Sequence, residues 1–346
     1  MKNLLLILFF AIQAHSQVVE VVAGLSNPYG LAVDTASNLY ISETNKISFM
    51  YLNDGAPAVF DLFTNNVNNP TRLTIANNYL YVLETGSSEV SRFNLLVGPP
   101  QLIPYITTGL NSPSAIAVSN NDIVVGDYGT YAIKRINTAA TPFQVSLLDN
   151  HLTTDIVIDG GIFYFADPFY GSVKSNTIVN PSPTSTTIVT DIPSPSSLLL
   201  HDGLLYISDG EEGKIYRINP NGSSTTAQLI VSGLNNPQGM VVFNNELYIA
   251  ESGANRIVKL NLNTLENSPF ENVTPLTISP NPAHNTLSID TTDPINEISV
   301  YDVLGQNVFI TPISANSIDV SQLQNGIYII KAYTSKGSHT QKFIKN

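Results

Sequence analysis

Residues 237–260 read PQGMVVFNNELYIAESGANRIVKL. A proline opens a short apolar run, Asn244-Asn245 makes a break, a second apolar run ends in Glu251, and a polar loop leads into RIVKL. Two asparagines between apolar runs suit a tight hairpin, because Asn tolerates the left-handed backbone such turns require. The stretch therefore predicts three antiparallel strands, over 239–243, 246–251 and 256–262.

Working outward, the same phrase recurs five times towards the N-terminus. Residues 28–43 read PYGLAVDTASNLYISE, 70–84 PTRLTIANNYLYVLE, 113–127 PSAIAVSNNDIVVGD, 153–167 TTDIVIDGGIFYFAD and 195–209 PSSLLLHDGLLYISD. The six starting positions are separated by 42, 43, 40, 42 and 42 residues, with Thr153 in place of Pro in the fourth copy. Each earlier copy adds a fourth apolar segment before the next proline, such as AQLIVS at 227–232. A four-strand repeat of this length reads as the blade of a β-propeller. The first strands (LAV, LTI, IAV, IVI, LLL, MVV) are apolar on both faces, which predicts full burial. The last copy has no fourth strand of its own, whereas residues 18–25, VVEVVAGL, form a spare strand at the other end. The expected fold is all-β: a six-bladed β-propeller over 17–263 whose N-terminal strand closes the last blade, removing an exposed sheet edge.

On NPYGLAVD…NLYISE (27–43) and NPQGMVV…ELYIAESGANRIVKL (236–260), the repeats resemble the NHL and gluconolactonase-like superfamily of six-bladed propellers. That resemblance implies a fold rather than a function, since such propellers host enzymes, binding modules and scaffolds.

Residues 264–276 form a polar linker without pattern. Over 277–346, short strands alternate with turns at Gly305-Gln306, Asn325-Gly326 and Lys336-Gly337, which predicts a small β-sandwich. Three landmarks stand out: Ser279-Pro280-Asn281-Pro282; Val300-Tyr301-Asp302 followed by Gly305; and Gly326-Ile327-Tyr328 leading to Lys342-Phe343-Ile344-Lys345. On these the segment closely resembles the type A C-terminal sorting domain of bacterial type IX secretion. The resemblance implies Pro280, Asn281, Pro282, Gly305, Gly326, Tyr328, Lys342 and Lys345 as the sorting signal, and the type IX machinery as partner. It implies a host among the Bacteroidetes and their relatives, and a product that is secreted or held on the outer cell surface. The N-terminus agrees: a basic Met1-Lys2-Asn3, the apolar run LLLILFFAI at 4–12, and small residues at Ala14 and Ser16 read as a signal peptide of 16 residues. That apolar run is too short to span a bilayer, which needs about 20 residues, and no later stretch is long enough.

Composition narrows the function. The chain has 346 residues and no cysteine, which removes disulfides, Cys-based metal sites and a Cys nucleophile. With 27 acids against 15 bases, a net charge of −12, it is a poor partner for nucleic acid. The last 70 residues carry 5 of those acids and 4 of the bases, so the acidity belongs to the propeller.

Candidate site residues fall into three groups. An acid closes every second strand: Glu43, Glu84, Asp127, Asp167, Asp209 and Glu251. Repetition in every copy points to a structural duty, each carboxylate accepting backbone N–H groups of the following turn. The sharper alternative is an oxygen-ligand cation site, for which Ca²⁺ is the expected cofactor. Two residues after each repeat start the chain has Gly30, Arg72, Ala115, Asp155, Ser197 and Gly239, so Arg72 and Asp155 break a small-residue rule near the channel mouth and become candidate ligand contacts. The loops after the second strands carry aromatics in two copies only: Tyr128 and Tyr131, then Phe169 and Tyr170. Together on one rim these could stack on sugars or anchor a peptide.

No enzyme is assigned. His151 and His201 are the propeller's histidines, and no G-x-S-x-G nucleophile motif occurs. The Glu, Asn and Asp that hold a divalent metal in the gluconolactonase-like enzymes cannot be placed on this sequence. The sequence favours an exported propeller that binds an extracellular glycan or protein. A metal-dependent hydrolase or lactonase, and a structural or adhesive surface protein, are the alternatives.

Overall fold

The computed structural model describes residues 18–53, 58–98, 100–264, 277–290, 295–302, 307–308, 311–314, 316–334 and 337–346. The expected signal segment, residues 265–276 of the linker and Gly305 lie outside these. The chain divides into two compact units, Met1–Ser268 and Pro269–Asn346.

The described residues are all-β apart from three short 3-10 turns. The first unit is built of four-stranded antiparallel sheets, six among the described residues. The first sheet runs Leu31–Val33, Asn38–Glu43, Lys46–Tyr51 and Val59–Phe63. The next four begin at Pro70–Ala76, Pro113–Ser119, Ile156–Asp159 and Pro195–His201, each laid down in chain order. The sixth takes three strands from Pro237–Phe243, Glu246–Glu251 and Arg256–Asn261, and its fourth from Val19–Ala23 at the opposite end of the unit. There Val19 pairs with Lys259 and Ala23 with Arg256.

The first strand of each sheet touches the first strand of the next, and that of the sixth touches that of the first. Each of these junctions has its own apolar core. Between the sixth and first sheets, for example, Leu31, Leu39, Ile41 and Met50 pack on Val241, Tyr248, Ala250 and Ile257. Full burial belongs to the second strands rather than the first, whose last five residues are buried in all six sheets. The first strands become half-buried towards their ends because they line a central cavity of about 350 Å³. Their two apolar faces reflect neighbours on both sides, while one backbone edge faces the cavity.

A hydrogen bond crosses every junction close to this cavity. Ser42 Oγ donates to the Thr71 carbonyl at 2.5 Å, Thr85 Oγ1 to Pro113 at 3.1 Å and Ser114 Oγ to Thr153 at 2.6 Å. Thr154 Oγ1 donates to Pro195 at 2.6 Å, Ser196 Oγ to Pro237 at 2.7 Å, and the Gly239 amide to Tyr29 at 2.8 Å. At about 0.5–1.5 kcal/mol each, such bonds fix the docking of neighbours more than they drive folding. The last junction is also closely packed. A Cβ added at Gly239 would lie 2.6 Å from the Tyr29 oxygen and 2.8 Å from the Leu31 nitrogen. Gly239→Ala is therefore expected to cost about 1–3 kcal/mol through overpacking. Denaturant unfolding of the full chain checks this, and an unchanged midpoint would show that the junction gives way freely.

Among the described residues the second unit holds two further four-stranded sheets. One comprises Thr277–Ser279, Thr286–Asp290, Ser317–Asp319 and Thr311–Ser314; the other Asn307–Val308, Ile295–Tyr301, Gly326–Thr334 and Gly337–Lys345. Leu287, Ile289, Val300, Ile318, Ile330 and Phe343 lie in one shared core.

Candidate functional site

The six acids are buried, and each turns to partners of its own rather than to the other five. Glu43 accepts from the Ser26 amide at 2.6 Å, Glu84 from Asn68 at 2.8 Å, Asp127 from Asn111 at 2.7 Å and Glu251 from Asn235 at 2.7 Å. The donors thus lie mostly in the loop entering the sheet, some 16 residues upstream, not in the following turn. Asp209 keeps the expected arrangement, accepting from the Glu211 and Glu212 amides at 3.1 and 2.9 Å. A third-strand cation neutralises several of them: Lys134 on Asp127, Lys174 on Asp167 and Arg256 on Glu251. The hydrogen bond to Glu251 raises the Arg256 pKa further and keeps the guanidinium charged. Glu43, Glu84, Asp127, Asp167, Asp209 and Glu251 are thus each engaged by donors of their own sheet and its loops. Among the described residues no three acids or histidines gather closely enough to hold a metal ion, since each carboxylate is consumed in locking its own loop.

Arg72 and Asp155 do meet, Nε to Oδ1 at 3.6 Å, and both are buried. Arg72 reaches from the second sheet to the Thr154 carbonyl in the fourth, at 3.1 Å from Nε and 2.8 Å from Nη2, and to the Ser196 carbonyl in the fifth. The Tyr29 ring covers its guanidinium carbon at 4.6 Å. Asp155 accepts from Ser197 Oγ at 2.6 Å and from the Leu198 and Ile156 amides at 2.9 and 3.0 Å. Both residues line the central cavity, and Arg72 Nη1 is buried without a protein partner.

The aromatic loops are open. Tyr128, Tyr131, Phe169 and Tyr170 are 52%, 61%, 74% and 64% exposed. They form two pairs, each within its own loop: Tyr128 stacked on Tyr131 with centroids 6.2 Å apart, and Phe169 edge-on to Tyr170 at 4.9 Å. Among the described residues no ring of one pair contacts a ring of the other. The Asp127 loop is a single 3-10 turn, Tyr128–Thr130, and Tyr131 caps it in the left-handed region.

Beneath Tyr170 lies a cluster that residue-by-residue reading passed over. His151 Nδ1 is 2.5 Å from Asp149 Oδ1, and its Nε2 is 3.0 Å from Lys174 Nζ, which donates to Asp167 at 2.9 Å. Tyr170 packs edge-on against the imidazole at 6.2 Å and covers the Lys174 ammonium at 4.3 Å. His151 occupies the position that Asn68, Asn111 and Asn235 hold in other copies, and that substitution was the available signal. His201 stands at the end of a first strand, 3.3 Å from the exposed Asp202 carboxylate.

In the second unit Asn281 clasps the last strand: Oδ1 accepts from the Ile344 amide at 2.9 Å and Nδ2 donates to the Lys342 carbonyl at 3.3 Å. The Ala283 amide donates to Ile344 at 2.8 Å, and Asn346 returns a bond to Ala283 at 2.9 Å. Tyr328 stacks on Phe343 and donates its hydroxyl to Gln324 at 3.0 Å. Pro280 and Pro282 flank the clasp, Gly326 opens a strand, Lys342 is exposed and Lys345 is buried.

These features define an all-β protein whose first unit is propeller-like and whose second carries an export signal. Residues 277–346 match the family described as Secretion system C-terminal sorting domain. This segment is a type IX sorting domain, and it directs the chain to the cell surface or beyond. Among the described residues no helix is long and apolar enough to cross a membrane. No curated protein matches the sequence. Many solved structures resemble this chain, and three of them, all β-propellers, illustrate the shared fold. One is a nidogen/laminin complex, at 18% identity over 66% of this chain and 90% of that chain, with a TM-score of 0.57. Another is virginiamycin B lyase from Staphylococcus aureus, at 16% over 71% and 98%, TM-score 0.53. The third is a gluconolactonase candidate, at 13% over 72% and 92%, TM-score 0.58. At such identities the likeness concerns the fold alone.

Proposed function

We propose that this chain is an exported six-bladed β-propeller that binds an extracellular glycan or protein through its aromatic loops. The observation that carries this reading is the pair of open aromatic couples, Tyr128 with Tyr131 and Phe169 with Tyr170, on neighbouring sheets of a fold whose other second-strand loops have no aromatics. Large aromatic faces left in water cost free energy unless a ligand covers them. Arg72 and Asp155 contribute a second, inner contact, supported by the unpartnered Nη1 and by their place on the cavity wall. The circular order of first-strand contacts and the pairing of Val19–Ala23 with Arg256–Asn261 support six blades closed by the N-terminal strand. The shared core of the two C-terminal sheets supports a small β-sandwich. The same reading takes residues 1–16 as a signal peptide, 17–263 as the propeller, 264–276 as the linker and a member of the Bacteroidetes as the host.

The test is a triple substitution, Tyr128→Ala, Phe169→Ala and Tyr170→Ala, in the full chain. It is expected to abolish retention on a panel of polysaccharides and surface proteins while leaving the melting temperature within a few degrees, since all three rings are exposed. Unchanged retention would sink the aromatic-loop reading and favour a structural or adhesive role.

A further inference from the structure

The second sheet holds a cation set among tyrosine rings. Tyr81 pairs with Arg92 and Arg92 with Ile103, so Tyr79, Tyr81, Arg92, Asn94, Ile103 and Tyr105 share one face of three neighbouring strands. The guanidinium carbon of Arg92 sits 3.5 Å from the centre of the Tyr105 ring and 4.3 Å from that of Tyr79. The Tyr81 hydroxyl is 3.5 Å from Nη1, and Phe143, from the connection before the third sheet's last strand, packs edge-on against Tyr105 at 5.3 Å. Among the described residues no carboxylate lies within ion-pair distance of Arg92, in a chain with 27 acids and 15 bases. Its Nε and Nη2 have no hydrogen-bond acceptor there either, and neither is among the buried polar atoms lacking a partner.

We infer that Arg92 is the anchor of a second ligand site, for a glycan bearing carboxylates such as a uronic-acid polymer. Tyrosine rings against the guanidinium fix its plane, and the free edge presents parallel N–H donors that match a carboxylate. The chain's acidity makes the missing partner informative, because an unpaired half-buried cation among so many acids is open to an outside anion. The cavity beside it, about 330 Å³, is lined by Tyr79, Arg92, Asn94, Val97, Gln101, Ile103 and Tyr105. Two amide side chains suit sugar hydroxyls, and the exposed Val97 and Ile103 suit the apolar face of a sugar ring. An acidic peptide would use the guanidinium but not the amides and apolar wall together. This site lies outside the aromatic loops, and its existence does not depend on the reading given for them.

Calorimetric titration of the full chain with an oligogalacturonate, its methyl ester and poly-glutamate of equal charge tests the assignment. The free acid is expected to bind, and the ester at least about tenfold more weakly, since it lacks the charge that a guanidinium fork recognises. Arg92→Lys is expected to lose about tenfold as well, because it keeps the charge but not the planar fork. Should that variant melt early, Gln101→Ala, on the exposed cavity wall, is expected to weaken oligogalacturonate binding at an unchanged melting temperature. The triple aromatic-loop variant is expected to bind the free acid normally, which separates the two sites. Equal binding of acid and ester, absence of binding at millimolar oligogalacturonate, or tighter binding of poly-glutamate would each overturn the inference.

Discussion

Removal of residues 277–346 is expected to strand the first unit in the periplasm, with none reaching the medium or the cell surface. The sorting domain is a compact unit with its own core, in which Leu287, Val300, Ile318, Ile330 and Phe343 are fully buried. The first unit has cores of its own between successive sheets, so truncation leaves it folded and only misdelivered. A finer cut follows from the Asn281 clasp. Deleting residues 342–346 removes the Lys342 and Ile344 backbone groups that Asn281 binds, together with Phe343, on which Tyr328 stacks. Losing so large a core aromatic costs about 3–5 kcal/mol, a sizeable share of the stability of a 70-residue module. The short deletion is therefore expected to block export as completely as the long one. Asn281→Ala, which forfeits two hydrogen bonds at about 0.5–1.5 kcal/mol each, is expected to reduce export without abolishing it. Immunoblots of periplasm, cell surface and medium give the answer. Normal release of the long truncation would overturn the role of the domain.

The contrast between the two readings of the acids shows what a repeat can and cannot disclose. Six equivalent carboxylates were legible because their spacing, 40 to 43 residues, follows the repeat. Their partners were not, because the donor amides lie about 16 residues upstream and become neighbours only when the fourth strand of one sheet returns to the first strand of the next. The junction staples had a visible signal: Ser114, Thr154 and Ser196 put a hydroxyl at the second position of three successive repeats. That signal carried no weight in isolation, since serine and threonine are ordinary in turns. The gap in the last repeat and the spare strand at 18–25 made the pairing of Val19–Ala23 with the sixth sheet readable from either end. The Arg92 face stayed hidden for a different reason. Its residues come from three strands, and only the register places Tyr79, Arg92 and Tyr105 side by side.

Asp155→Ala is expected to be the most damaging single substitution in the first unit. Four sheets converge on the Arg72 guanidinium: Tyr29 from the first, Arg72 itself from the second, Thr154 and Asp155 from the fourth, and Ser196 from the fifth. Arg72 and Asp155 are 3% and 7% exposed, so neither charge can turn to water. Taking away the carboxylate leaves a buried cation against two carbonyls, and also deprives Ser197 Oγ and the Leu198 and Ile156 amides of their acceptor. Breaking a buried pair from one side costs about 3–5 kcal/mol, whereas replacing both partners with apolar groups of similar volume is often neutral or stabilising. The double variant Arg72→Met, Asp155→Leu is therefore expected to unfold at a higher denaturant concentration than Asp155→Ala alone, despite carrying one more substitution. Equilibrium unfolding of wild type, both single variants and the double closes the cycle, and a coupling near zero would mean that the pair contributes nothing jointly. The same set separates stability from binding. A ligand entering the cavity would meet the unpartnered Arg72 Nη1, with Asp155 beside it on the wall. The double variant, folded but without a guanidinium, would then lose binding in the cavity while keeping binding at the aromatic loops.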